Sequence, residues 1–257
     1  MNVKAKKHLG QHFLTDENIA KKIVEGLDFQ PYQYVLEVGP GTGVLTKKLL
    51  EKPTETYVAE IDTESIEYLK LHYQKLENKH FTGDFLKINL SDVFSGEVAV
   101  IGNFPYNISS QILFKIIENY QQIPEMVGMF QKEVAERTAA VPRTKDYGIL
   151  SVLVQAYYDV KYLFTVHENV FNPPPKVKSG VIKLTRNRKE GLEGNEILFK
   201  QIVKTGFGQR RKKLSNALKS LDIPEVLKSH AFMDKRAEEL SVEDFINFTQ
   251  EWKAAKN

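Results

Sequence analysis

A chain of 257 residues with 42% hydrophobic content suits one sizeable α/β domain plus a smaller appendage, and it is too short for two large domains. Without cysteine it can hold no disulfide, no thiolate-bound metal and no cysteine nucleophile, and a reducing compartment is expected. The net charge of +3 is unevenly spread: residues 1–175 carry 18 basic against 22 acidic side chains, residues 176–257 carry 18 against 11, so the last third either meets a polyanion or merely solvates its helices.

In chain order, the first fourteen residues lack the apolar run of a signal peptide, the first arginine is Arg137, and no stretch reaches the roughly 20 apolar residues of a membrane span. An uncleaved cytoplasmic chain that meets no membrane is expected. Asp16 can cap a helix over residues 17–27, whose Ile19, Ala20, Ile23, Val24 and Leu27 recur at helical spacing. Residues 34–38 read as a short apolar strand, and the glycines after it lead into a helix carrying Val44, Leu45, Leu49 and Leu50. A second strand is expected over 56–61, a helix over 65–73, a short third strand over 80–84 and a fourth over 97–102. Beyond them, after residues 112–117, a helix runs through 131–140, residues 147–166 are a helix, a strand or one of each, and 179–184 close the sheet. Strands alternating with helices give a doubly wound, mainly parallel α/β sheet, whose ligands belong at the carboxyl ends of the strands. Residues 187–195 are polar and glycine-bearing, as a linker is, and only helical patterns follow, with Ser241 to Asp244 opening a helix as a capping box. The expected division is a catalytic domain over 1–188 and a small all-helical domain over 189–257.

Four polar loops fall on one rim of that sheet: Gly39 to Gly43 after the first strand, Glu60 at the second, Asp84 after the third and Asn103 after the fourth. A dinucleotide fold wants G-x-G-x-x-G, but this loop reads Gly39-Pro40-Gly41-Thr42-Gly43-Val44, with valine where the third glycine should stand. It suits a cofactor without a pyrophosphate: backbone at Gly39 and Gly41 against an amino-acid tail, Glu60 accepting from two ribose hydroxyls, and Asp84 beside Phe85 accepting from an adenine amine. S-adenosyl-L-methionine has that shape. Taken singly, Glu60 and Asp84 could equally be solvated acids at strand ends.

The tetrad Asn103-Phe104-Pro105-Tyr106 addresses an exocyclic adenine amine, whose lone pair is delocalised into the ring. The Asn103 side-chain oxygen and the Phe104 carbonyl can accept its two hydrogens, Pro105 stiffens the turn, and Tyr106 offers a stacking face. No strong base is needed, because the nitrogen becomes acidic once alkylated. The base must be unpaired or flipped out to be reached. Phe171, before the stiff Asn172-Pro173-Pro174-Pro175, either stacks on the opposite face of that base or packs as a core aromatic. His8 and His12 stand four apart, a spacing that can pair ligands on a helix, but no third ligand accompanies them and no metal is expected.

Eight segments in order then resemble the bacterial small-subunit rRNA adenine dimethyltransferases, a branch of the rRNA adenine N6-methyltransferases. They are Gly10-Gln11-His12-Phe13-Leu14, the Glu37 to Gly43 loop, Glu60-Ile61-Asp62, Gly83-Asp84, Gly102 to Ser109, Gln131 to Val134, Phe171 to Val177, and Gln209-Arg210-Arg211-Lys212. The resemblance implies a Rossmann-like S-adenosylmethionine-dependent methyltransferase fold with a helical C-terminal domain, and cofactor contacts from His12, Leu14, Gly39, Glu60, Asp84 and Asn103. It implies N6,N6-dimethylation of two adjacent adenosines in a hairpin loop near the 3′ end of small-subunit rRNA, within an assembling ribosomal subunit, by a monomer. His12 stands where asparagine is usual and Phe104 where leucine is usual. The run Arg210-Arg211-Lys212-Lys213 is expected to open a helix and to contact rRNA phosphates, since four cations oppose the dipole of a helix start. Two enzymatic alternatives, a large-subunit rRNA methylase and a DNA adenine methyltransferase, share the core motifs, but the Gln209 to Lys212 segment disfavours the first and the absence of any evident target-recognition segment disfavours the second. The alternative of another class is an assembly factor that mainly binds immature subunits.

Overall fold

The computed structural model describes residues 3–256. Its elements in chain order are β1 (Phe13–Leu14), α1 (Glu17–Val24), β2 (Tyr34–Val38), α2 (Thr46–Leu49), β3 (Glu55–Ala59), α3 (Thr63–His72), α4 (Leu90–Val93), β4 (Val98–Asn103), α5 (Ser109–Glu118), β5 (Glu125–Gln131), α6 (Lys132–Thr138), α7 (Ile149–Gln155), β6 (Tyr158–Val166), β7 (Phe171–Asn172), β8 (Ser179–Arg186), α8 (Glu196–Gly208), α9 (Leu214–Ala217) and α10 (Val242–Ala254). Contacts divide the chain into two compact units, residues 3–135 with Asp159–Arg186, and Glu136–Tyr158 with residues 187–256.

The first unit holds a six-stranded sheet in the order β3-β2-β4-β5-β8-β6, in which β3, β2, β4 and β5 run parallel and β8 pairs antiparallel with β5. Val35, Leu36, Val98 to Ile101, Met126 and Val127 are all fully buried, as in a parallel sheet covered on both faces. Asp16 does cap α1, its carboxylate accepting from the backbone N–H of Asn18 and Ile19 at 2.8 and 3.0 Å, and the helix buries Ala20, Ile23 and Val24. β1 pairs antiparallel with β7, setting Leu14 opposite Phe171.

Three local readings change. β5 was not anticipated: the sequence reading has no strand before its helix at 131, whereas residues 125–131 are a strand and the helix starts at Lys132. Because Glu125 to Phe130 are all buried, the strand shows no alternation to read. The expected strand at 80–84 reduces to one bridge, Phe81 to Val58. The ambiguous 147–166 resolves into one helix, α7, and one strand, β6.

The second unit is helical. The expected boundary near 188 lies close to the Arg186/Asn187 division, but residues 136–158 group with this unit and not with the sheet. Tyr147, fully buried, donates its hydroxyl to the Leu240 carbonyl at 3.0 Å and meets the Phe207 ring edge-on, and the Arg143 N–H donates to the Glu238 carbonyl at 2.8 Å. Ser241 and Asp244 form the expected capping box of α10, with reciprocal bonds of 3.0 and 2.8 Å. The run Arg210 to Lys213 does not open a helix as expected. It follows the C-terminus of α8, where cations complement the dipole, and Lys213 precedes only the four-residue α9. Arg210 pairs with Glu238 at 2.5 Å and Lys213 with Asp234 at 2.9 Å, while Arg211 and Lys212 are exposed. No helix among the described residues is long and apolar enough to cross a membrane.

Candidate active site

The carboxyl ends of β2, β3 and β4 bring the polar loops together, all within the first unit. After β2 the chain turns at Gly41 with φ of 56°, and a Cβ there would meet the Phe13 ring at 2.7 Å, so both conformation and space call for glycine. Glu37, near the end of β2, is fully buried and accepts from the Thr46 hydroxyl at 2.5 Å; burial pushes its carboxyl up to about 8. Glu60, one residue past β3, is 6% exposed and accepts from the N–H groups of Ile61, Asp62 and Gly41 at 2.8, 2.9 and 3.3 Å. Burial raises this carboxyl too, against those three bonds.

Asp62 caps α3 and anchors the amino-terminal arm: Lys6 forms an ion pair with it, Gln11 Nε2 donates to it at 3.2 Å, and the Lys6 N–H donates to Gln11 Oε1 at 2.8 Å. The arm thereby becomes one wall of the site. This clasp was missed by the sequence reading, because Lys6 and Asp62 lie 56 residues apart and Lys6 belongs to no motif.

β4 delivers the tetrad. Asn103 is half-buried, and its Nδ2 donates to the His12 backbone carbonyl at 2.8 Å. A carbonyl accepts only, so the amide nitrogen is engaged and Oδ1 is left as an acceptor. The Phe104 N–H donates to the Met129 carbonyl at 3.1 Å, and no hydrogen bond among the described residues uses the Phe104 carbonyl. The Phe104 side chain is 1% exposed, tilted against Phe130 at 4.9 Å, and fills the space above two glycines: a Cβ at Gly128 would lie 2.1 Å from it and one at Gly102 2.8 Å. Phenylalanine at this position is therefore accommodated by Gly102 and Gly128. Tyr106 shares a 2.5 Å hydrogen bond with the buried Ser179 hydroxyl, which the sequence reading did not single out, and its ring stacks on His12.

His12, Gly39, Gly41, Glu60, Asp84 and Asn103 to Tyr106 all line one open cavity. Leu14 is buried and lines a smaller recess with Gly39 and Asn103. Phe171 requires correction: at 4% exposed it packs in the hydrophobic core with Leu14, Ile23 and Val24, so the core alternative holds and its ring does not face the cavity. Arg210 to Lys213 lie in the second unit and line no part of the cavity.

The donor set fits S-adenosylmethionine. Among the described residues no lysine or arginine lines the cavity, whereas Glu60 and Asp84 do, beside apolar Ile61 and Phe85. That wall suits a cationic ligand with an apolar ring and offers nothing to a pyrophosphate. The three N–H bonds on Glu60 leave acceptor capacity, since a carboxylate has about four lone-pair sites.

A Rossmann-like sheet, a glycine turn followed by a buried acid, and an Asn-x-Pro-Tyr tetrad on the next rim loop define an S-adenosylmethionine-dependent methyltransferase. The model of the ribosomal RNA adenine dimethylase family matches residues 2–254, and the chain belongs to that family. It is 59% identical over 253 residues to the ribosomal RNA small subunit methyltransferase A of Flavobacterium johnsoniae, covering 98% of this chain and 97% of the relative, and 56% identical to that of Cytophaga hutchinsonii, covering 96% of each. Among solved structures, a dimethyladenosine transferase from Plasmodium falciparum superposes with a TM-score of 0.83 at 26% identity, covering 95% of this chain and 98% of that one. The 23S rRNA methyltransferase ErmE, at 24% identity and a TM-score of 0.67 over 94% of this chain and 99% of its own, shares the fold.

Proposed function

We propose that the protein dimethylates N6 of two adjacent adenosines in a hairpin loop near the 3′ end of small-subunit rRNA, within an assembling ribosomal subunit in the cytoplasm, acting as a monomer. The observation that carries the adenine chemistry is the Asn103 amide, held by its nitrogen on the His12 carbonyl so that its oxygen can accept from N6. The names of the relatives support the small-subunit substrate.

Gly39, Gly41, Glu60 and Asp84 hold the cofactor, with Leu14 beneath. When bound, it supplies an electrophilic methyl group on a sulfonium. Asn103 Oδ1 and the Phe104 carbonyl accept the two N6 hydrogens, which favours a pyramidal nitrogen with its lone pair exposed for in-line attack. Pro105 holds the turn and Tyr106 stacks on the base. The proton shed by the alkylated amine needs no protein base, and among the described residues no ion-paired histidine and carboxylate line the cavity.

The second unit docks on rRNA, supported by the excess of 17 basic over 13 acidic side chains in residues 136–158 and 187–257. Because Arg210 and Lys213 already have carboxylate partners, Arg211 and Lys212 carry the phosphate contacts. Replacing both by alanine should lower the salt slope of subunit binding by about 2. An unchanged slope would refute that assignment.

The deciding experiment is methyl transfer from labelled S-adenosylmethionine to small subunits lacking the modification, with large subunits and duplex DNA alongside, followed by nucleoside analysis. N6,N6-dimethyladenosine in small-subunit RNA alone is expected. Label in large subunits would replace the substrate assignment, and subunit binding without label would leave only an assembly role.

A further inference from the structure

We infer that His12, which also lines the cofactor cavity, is a positioning residue for the base site: it joins the first and last members of the tetrad. The inference rests on the proposed function, since it assigns a role within that base site. Three contacts from one residue carry it. The His12 carbonyl accepts from Asn103 Nδ2 at 2.8 Å, the His12 ring stacks on Tyr106 with centroids 5.5 Å apart and planes 29° apart, and His12 Nδ1 lies 2.8 Å from the Pro173 carbonyl.

Each contact removes a freedom that adenine binding needs removed. A primary amide can turn over and exchange its oxygen for its nitrogen, but a facing backbone carbonyl tolerates only the nitrogen. His12 thereby selects the Asn103 orientation that leaves an acceptor. The Tyr106 hydroxyl is fixed by Ser179, which still permits the ring to tilt. The His12 ring covers one face of Tyr106, sets its plane and restricts a stacking base to the other face. Since the Pro173 carbonyl can only accept, Nδ1 carries the hydrogen, and the imidazole is anchored to the segment leaving β7. That segment is tied to the arm by the pairing of Phe13 with Asn172 and Leu14 with Phe171.

An asparagine at position 12 could donate to Pro173 and keep the backbone carbonyl, but it could not stack. The ring and the donor can therefore be separated by substitution. His12→Ala removes both, His12→Asn keeps the donor, and His12→Phe keeps the ring.

The test measures kcat and KM for methyl transfer to unmodified small subunits, cofactor Kd by calorimetry, and the ring signals of Tyr106 in protein carrying labelled tyrosine. At saturating cofactor, His12→Ala is expected to lower kcat about tenfold. His12→Phe should recover most of that loss and His12→Asn should not, and the Tyr106 signals should move in the alanine and asparagine variants and return toward wild type in the phenylalanine variant. A kcat at saturating cofactor that does not fall, recovery by asparagine instead of phenylalanine, or Tyr106 signals that do not move would each overturn the inference. The ring signals need no RNA, so they report on His12 even if the wild-type protein leaves small subunits unmethylated, an outcome that refutes the proposed function instead.

Discussion

The two ends of the central sheet treat buried carboxylates in opposite ways. At the end away from the site, Glu125 is 4% exposed and fully partnered: the Tyr32 hydroxyl donates at 2.5 Å, the Asp28 N–H at 3.0 Å, and Lys183 Nζ lies 2.6 Å away. At the cavity end, Glu37 has Thr46 alone and is held protonated by burial, and Glu60 has backbone N–H groups but no basic side chain. The difference teaches what each end is for. A buried charge with its counter-charge in place is finished structure, whereas Glu60, which lines the cavity without one, leaves an electrostatic deficit that a cationic ligand can fill.

The sharpest break between the two ends would come from Asn103→Ala, which should lower kcat for methyl transfer by about 10²–10³-fold while leaving the urea midpoint near wild type. A loss under tenfold would remove Asn103 from the chemistry. Its counterpart, Glu125→Ala, should do the reverse: methyl transfer by the folded protein survives, but stability falls by about 3 kcal/mol because Lys183 and Tyr32 lose a buried partner. Chemical denaturation at matched pH reads this directly.

Next in size is Gly128→Ala, whose Cβ would overlap the Phe104 ring; overpacking of this kind costs about 2 kcal/mol. In a Phe104→Leu background the same change should cost much less, and equal costs in both backgrounds would show that the ring moves aside freely. The last effect concerns pH. Glu37 is raised from 4.5 to about 8 on folding, so its contribution to stability is full below pH 4.5 and is lost as pH rises through 8. Glu37→Gln should flatten that decline and gain stability relative to the wild type as pH rises from 4.5 to 8. Parallel denaturation profiles for the two proteins across this range would argue that Glu37 is ionised in the folded state.

Motifs whose chemistry is local were legible in the sequence. Gly39 to Gly43 and Asn103 to Tyr106 each sit on one strand-to-helix turn, so residue type and spacing suffice to bring their members to one rim. β5 was not legible, because a strand buried on both faces carries no alternation and Gly128 interrupts its apolar run. Nor were the links that finish the site: His12 with Asn103, Lys6 with Asp62, and Tyr106 with Ser179 span 91, 56 and 73 residues, and each depends on which loops the sheet order brings together. Phe171 shows the converse hazard. An aromatic before a proline run has the composition of a base-stacking loop, yet the pairing of Leu14 with Phe171 turns its ring into the core. Residues 136–158 were assigned by position in the chain, whereas Tyr147, fully buried, packs with Phe207 and Leu240.

The amino-terminal arm has a consequence for the timing of catalysis. Through Lys6 and Gln11 it clasps Asp62 at the cofactor wall, and through His12 it fixes the two ends of the tetrad. Two methyl groups on one adenosine require the spent cofactor to be exchanged between transfers, and any swing of the arm that widens the exit also withdraws His12 from Asn103 and Tyr106. Exchange and grip on the base are then antagonistic, so the first methylation should tend to end in release of the RNA, and singly methylated adenosine should build up early in a time course before the doubly methylated form overtakes it.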